Sequence, residues 1–142
     1  MRVSRFVITC GLAVVLLGAA ACQFSVSTAN LSGLKLSKDK EGNQEASTFG
    51  ANDVVYGIAT VSNSPDKVTV KGHLSIVDVQ GQTPGPIPGL ETDVPLPGSG
   101  TATFTFTPPE SGWPKGKYKL DVVMLNENGE QKGQKTADFE VS

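Results

Sequence analysis

This sequence predicts an all-β chain, and three observations carry the prediction. Helical periodicity is nearly absent, apolar and polar residues alternate through several stretches, and glycine or proline punctuates the whole. The punctuation falls roughly every ten residues, the spacing of short strands joined by turns in a sandwich or barrel. No helical stretch is long enough for a parallel crossover, so the links are antiparallel and the architecture is a single antiparallel β-sandwich.

The strands follow in order. Ala29 to Leu36 reads as the first and ends in the charged turn Lys38-Asp39-Lys40-Glu41-Gly42. Asp53 to Val61 is the second, with Val55, Gly57, Ala59 and Val61 on one face and Val54, Tyr56 and Ile58 on the other. Apolar residues on both faces mark a central strand, and Asn63-Ser64-Pro65-Asp66 then supplies turn chemistry. Lys67 to Val79 is the third: Val68, Val70, Leu74 and Ile76 share one face, and Lys67, Thr69, Lys71, His73 and Ser75 the other. Thr101 to Thr107 points Ala102, Phe104 and Phe106 inward and threonines outward. Lys117 to Leu125 buries Tyr118, Leu120, Val122 and Met124, and Lys135 to Val141 buries Ala137, Phe139 and Val141. Asn126-Glu127-Asn128-Gly129 joins these two as a hairpin, because Asn-Gly tolerates the positive φ of a tight turn.

Between Gln80 and Gly100 lie five prolines, Pro84, Pro86, Pro88, Pro95 and Pro97. Proline fixes φ and biases its neighbours toward polyproline II, so this segment reads as an extended, semi-rigid loop. It either switches the chain between sheets, its prolines blocking edge-to-edge pairing, or presents Ile87, Leu90 and Leu96 as exposed apolar anchors for a partner.

Pro108-Pro109-Glu110-Ser111-Gly112-Trp113-Pro114-Lys115-Gly116-Lys117-Tyr118 sharpens the architecture. The run Trp113-Pro114-Lys115-Gly116-Lys117-Tyr118 resembles the Trp-Pro-x-Gly-x-Tyr lead into a late strand of bacterial immunoglobulin-like domains. That resemblance implies an immunoglobulin-like antiparallel β-sandwich of about six to seven strands. Pro114 cannot donate to a ladder, Gly116 can take a φ other residues avoid, and Tyr118 can pack its ring while its hydroxyl reaches loop backbone. Trp113 is expected to plug this corner, with ligand stacking as its other role.

The N-terminus reads as an address. Arg2 and Arg5 form a positive start, Phe6 to Leu17 is almost wholly apolar, and small residues follow. These are the parts of a secretory signal, and the apolar run is shorter than the ~20 residues a membrane-spanning helix needs. Ala19-Ala20-Ala21 suits a general signal peptidase. The same residues followed by Cys22 resemble the lipobox of bacterial lipoproteins, with Ala19 where Leu is commonest. The resemblance implies that residues 1–21 are removed, that Cys22 is lipidated and becomes the mature N-terminus, and that residues 22–29 tether a domain at 30–142. The other cysteine, Cys10, lies in the segment to be removed, so acylation disposes of an otherwise lone thiol. Gln23 after the cysteine implies the outer membrane of a Gram-negative cell; in a Gram-positive cell the signal implies the outer face of the cell membrane. Several acyl chains, at about 0.8 kcal/mol per buried CH₂, make such anchoring effectively permanent.

Composition and motif content set the function classes. Arg2 and Arg5 are the only arginines, leaving ten lysines against fourteen acidic residues and a net charge of −4 after residue 21. That surface does not suit nucleic acid. His73 is the only histidine and falls on a polar strand face, and there is no His/Cys cluster for zinc. With no cysteine in the predicted domain, the one histidine on a polar strand face and no Gly-x-Ser-x-Gly elbow, no hydrolytic triad of nucleophile, base and orienting acid can be assembled. Glu91 with Asp93, and Asp39 with Glu41, fall in loops read as solvated. Asn126-x-Asn128-Gly129-Glu130 lacks the further ligands of a calcium loop. The expectation is a protein with no catalytic residues, no metal and no cofactor.

Its partners are then the membrane, through lipid on Cys22, and an envelope protein met by Ile87, Leu90, Leu96 and Trp113. Alternatives are an accessory protein that inhibits an envelope enzyme through the Gln80–Gly100 segment, and a carbohydrate-binding module built on Trp113.

Overall fold

The structure, a computed structural model, describes residues 29–142. Cys22, the signal segment and most of the tether lie outside the described residues. Among the described residues eight strands form: β1 (Asn30–Ser37), β2 (Thr48–Phe49), β3 (Val55–Ser62), β4 (Val68–Val79), β5 (Gly85–Leu96), β6 (Gly100–Phe106), β7 (Gly116–Leu125) and β8 (Gln131–Val141). They make two sheets, one ordered β1-β3-β6 and the other β2-β8-β7-β4-β5. Every pairing is antiparallel except the short β2–β8 contact.

The alternation read from the sequence puts the right side chains between the sheets. Val55, Ala59 and Val61 of β3 are buried, as are Ala102, Phe104 and Phe106 of β6 and Tyr118, Leu120, Val122 and Met124 of β7. β3 is the central strand of its sheet, so both its faces need covering; Ile58, on the outer face, is only 7% exposed beneath the Lys38–Gly42 turn. Two glycines leave room for large side chains of the facing sheet. A Cβ on Gly57 would stand 2.3 Å from Leu120 Cδ2, and one on Gly72 would meet the Phe104 ring at about 3.0 Å. Leu120 and Phe104 are 0% exposed because glycines opposite make room for them.

The Gln80–Gly100 segment departs from expectation. Most of it is strand β5, the edge of the five-stranded sheet, paired to β4 from Leu96↔Val68 to Glu91↔His73 and again at Pro86↔Ser75. An edge strand has a neighbour on one side only, so half its residues turn their N–H outward, and proline there removes no ladder bond. Pro86 and Pro95 are therefore compatible with a strand that a central position would forbid. This segment and the two-residue β2 raise the strand count to eight, above the six or seven expected. The final strand is also longer than its apolar residues indicate, beginning at Gln131.

Pairing between β4 and β5 is interrupted between His73 and Ser75, where Ile87, Pro88, Gly89 and Leu90 bulge out of the ladder. Gly89 has a φ of 83°, so Pro88-Gly89 has the residues and the handedness of the central pair of a type II turn. The bulge carries both apolar residues, Ile87 and Leu90, to the seam between the sheets.

Candidate functional site

The corner leading into β7 is built from backbone and aromatic rings together. Trp113 N–H donates to Ala51 O at 2.7 Å, and Gly112 N–H to Pro109 O at 2.8 Å. The indole Nε1–H donates to Asp53 O at 2.8 Å, and the Tyr118 hydroxyl to Pro114 O at 2.6 Å. A tyrosine at the start of a late strand, bonding backbone just upstream, is the tyrosine corner of immunoglobulin-like sandwiches. Tyr118 also stacks on Phe139 at 5.3 Å and meets Trp113 edge-on at 6.2 Å. Burial pushes the Tyr118 hydroxyl above its ordinary value, because the phenolate would lose its water.

Facing this corner across the open side of the sandwich is the β5 bulge. Between them lies a groove of about 350 Å³, with Ile87, Pro88 and Leu90 on one wall, Trp113, Pro114 and Tyr118 on the other, and Ile76, Thr107 and Pro109 closing it. Gln82 and Thr107 are its polar lining residues. A few polar groups set in an apolar concavity of this size is the make-up of a ligand or side-chain pocket.

The structure thus brings together Ile87, Leu90 and Trp113 of the residues singled out from sequence, and separates Leu96. Leu96 sits opposite Val68 at the far end of β5, beside Pro95, Pro97 and Asn126. Neither Ile87, Leu90 nor Leu96 is the exposed anchor that a loop would present: each is half-buried against the core, because β5 is a strand with an inward face. Trp113 is 4% exposed with its N–H satisfied by Asp53 O, so it lines the groove as part of the buried corner. Sequence reasoning missed Ile76, Gln82, Pro88 and Pro109 as groove residues; the Pro88-Gly89 pair was the available signal, since it marks a turn inside an extended stretch.

His73 lies on the outer face of the five-stranded sheet, its Nε2 3.5 Å from Asp121 Oδ2. Asp121 is the hub of that face: the Thr136 hydroxyl donates to its Oδ1 at 2.9 Å, and the Ser75 hydroxyl reaches Oδ2 at 3.5 Å. Ser75 is buried at 3% exposure although it shares the polar face expected of it. Serine and histidine both lean on the carboxylate, whereas acyl transfer needs the imidazole between nucleophile and acid. The arrangement holds strands together. In the Asn126–Glu130 turn, Asn126 Oδ1 accepts the N–H groups of Asn128 and Glu130, each at 2.9 Å, so its oxygen is used in closing the hairpin.

Two sheets in this order, closed by a tyrosine corner, define an immunoglobulin-like β-sandwich. No protein-family model and no curated protein sequence matches the chain. Among solved structures it is similar to part of a β-glucosidase from Listeria innocua in complex with glucose, with a TM-score of 0.51 at 15% identity over 84% of this chain. The chain spans only 17% of the length of that enzyme. It is also similar to the PmoD soluble domain from a Methylocystis species (TM-score 0.45, 14% identity, covering 84% of this chain and 95% of that one). A Niemann-Pick type C2 protein from the Japanese carpenter ant gives a TM-score of 0.44 at 15% identity, covering 85% and 96% of the two chains. At these identities the likeness is one of fold.

Proposed function

We propose that this chain is a lipid-anchored protein of the cell envelope that binds a partner protein without catalysing a reaction. Cys22 holds it to a membrane, and the groove between the β5 bulge and the tyrosine corner takes an apolar side chain of the partner. The observation that carries the reading is the convergence of Ile87, Leu90 and Trp113 on one apolar concavity. One wall is fixed by the buried aromatic corner; the other is a bulge on an edge strand, free of a second neighbour. A protein side chain, held at its backbone, can use such a site with few polar contacts.

The test is crosslinking of the anchored full-length protein in cells, followed by mass spectrometry, with Ile87→Asp and Cys22→Ala as companions. One dominant envelope partner, lost with Ile87→Asp while the protein stays folded, supports the groove. Release of Cys22→Ala from the membrane fraction supports the anchor. A partner captured equally by Ile87→Asp overturns the groove assignment, and a membrane-bound Cys22→Ala overturns the anchor.

A further inference from the structure

We propose that the groove opens at the pole of the sandwich away from the membrane, so that its partner is an extramembrane protein segment arriving from the aqueous side. The inference rests on the Cys22 anchor and on the groove as the binding site. The strand register fixes which pole is which. β1 starts at Asn30 opposite Ser62, and the neighbouring Val61 pairs with Gly100. In the other sheet Val68 pairs with Leu96, Thr69 with Leu125, and Leu125 with Gln131. The two sets of strand ends meet: a Cβ on Gly133 would stand 3.1 Å from Leu31 Cβ, and Ser64 N–H donates to Ser99 Oγ at 2.9 Å. They form one pole, and the chain leaves that pole toward Cys22.

The opposite pole holds the other strand ends, with Ser37 beside Tyr56, Val55 beside Phe106, and Gly116 between Val79 and Val141. The groove belongs to it, since Thr107, Pro109, Trp113 and Pro114 lie between the end of β6 and the start of β7. Its Ile76 is seven residues along β4 from Thr69, about 23 Å at ~3.3 Å a residue. Residues 22–29 are eight in number and span at most about 28 Å when fully extended. Pressing the groove against the bilayer requires that tether to run back along the whole domain in this single conformation, which chain entropy opposes. Acyl chains on Cys22 leave from the wrong pole to fill the groove. Fourteen acidic residues against ten lysines after residue 21 also give the domain no pull flat onto anionic headgroups. The occupant is therefore protein held in water beyond the far pole, not a segment lying in the anchoring bilayer.

The experiment places the full-length lipidated chain in phosphatidylcholine vesicles that carry an acceptor dye on their headgroups. Residues 30–142 contain no cysteine, so Glu127→Cys and Ser111→Cys each take one donor dye. Both positions are exposed, the first on the Asn126–Glu130 hairpin and the second between the groove residues Pro109 and Trp113. Energy transfer is expected to be about threefold or more stronger from position 127, given the offset of the poles along the strands. Equal transfer, or stronger transfer from position 111, in a chain that floats with the vesicles overturns the orientation alone. A chain that does not float removes the anchor, and the orientation with it. In cells, the adduct formed by a photoreactive residue at Ile87 is mapped on the partner by mass spectrometry. The crosslinked residue is expected in an extramembrane segment, and one inside a membrane span overturns the direction of approach. No adduct, with the vesicle result intact, overturns the groove as the binding site and with it the partner.

Discussion

The two walls of the groove differ in how they are held. The corner wall, Trp113 to Tyr118, is tied by three hydrogen bonds to backbone and buried against Phe139. The lip, Ile87 to Leu90, leaves the ladder altogether and belongs to a strand with one neighbour. Local stability follows the density of buried contacts and shielded hydrogen bonds, so the corner opens only with the whole domain while the lip can adjust by itself. The contrast separates two jobs that share one concavity. The corner gives the groove a fixed shape, and the lip can move onto what enters it.

Substitutions in the corner sharpen the contrast most. Trp113→Ala removes a buried aromatic and an indole bond, costing about 3–5 kcal/mol and giving a lower midpoint in urea denaturation. Tyr118→Phe keeps the ring but orphans the Pro114 carbonyl, at about 1–2 kcal/mol by the same measurement. On the lip, Gly89→Ala forces an alanine to a φ of 83°, costing about 1 kcal/mol. It is expected to reduce partner capture more than global stability. If the lip variant instead lowers stability as much as Trp113→Ala, the two walls are one cooperative unit and the distinction fails.

The pH effects are the smallest. Tyr118 is raised by burial, so the folded chain keeps it neutral where the unfolded chain ionises. Its contribution is full below about pH 10 and is lost as pH rises beyond it, visible as alkaline unfolding that Tyr118→Phe lacks. Asp39 is lowered, first by the Ser37 hydroxyl and then by the Gln44 and Asn43 N–H groups, with desolvation opposing. Its carboxylate ties the Lys38–Gln44 turn at neutral pH and lets it loosen as pH falls below 3.8, detectable as faster amide exchange at Asn43 and Gln44.

How much of this could be read from the chain depends on which signal each residue carries. β4, β6 and β7 were legible because one face of each packs on the core, so burial imposes strict alternation. The corner was legible because Trp113, Pro114, Gly116 and Tyr118 each act through a local constraint. β5 was not, since proline reads as a strand breaker until the strand is known to be an edge, and edge position is settled by the other strands. Ser75 and Asp121 look like ordinary outer-face residues, and only the register Ser75↔Lys119, one step from His73↔Asp121, brings them together. The groove was legible in part: Ile87, Leu90 and Trp113 stood out as apolar residues near turns, while Leu96 carries the same signal and lies at the other end of the strand.

The most direct test of the account is photo-crosslinking in cells from a reactive residue placed at Ile87, compared with the same residue at Thr105 on the outer face of the three-stranded sheet. An adduct to one envelope protein is expected from position 87, diminished by Leu90→Asp, and none from position 105. Equal adducts from both positions, or none from position 87 while the partner is still captured, would contradict it.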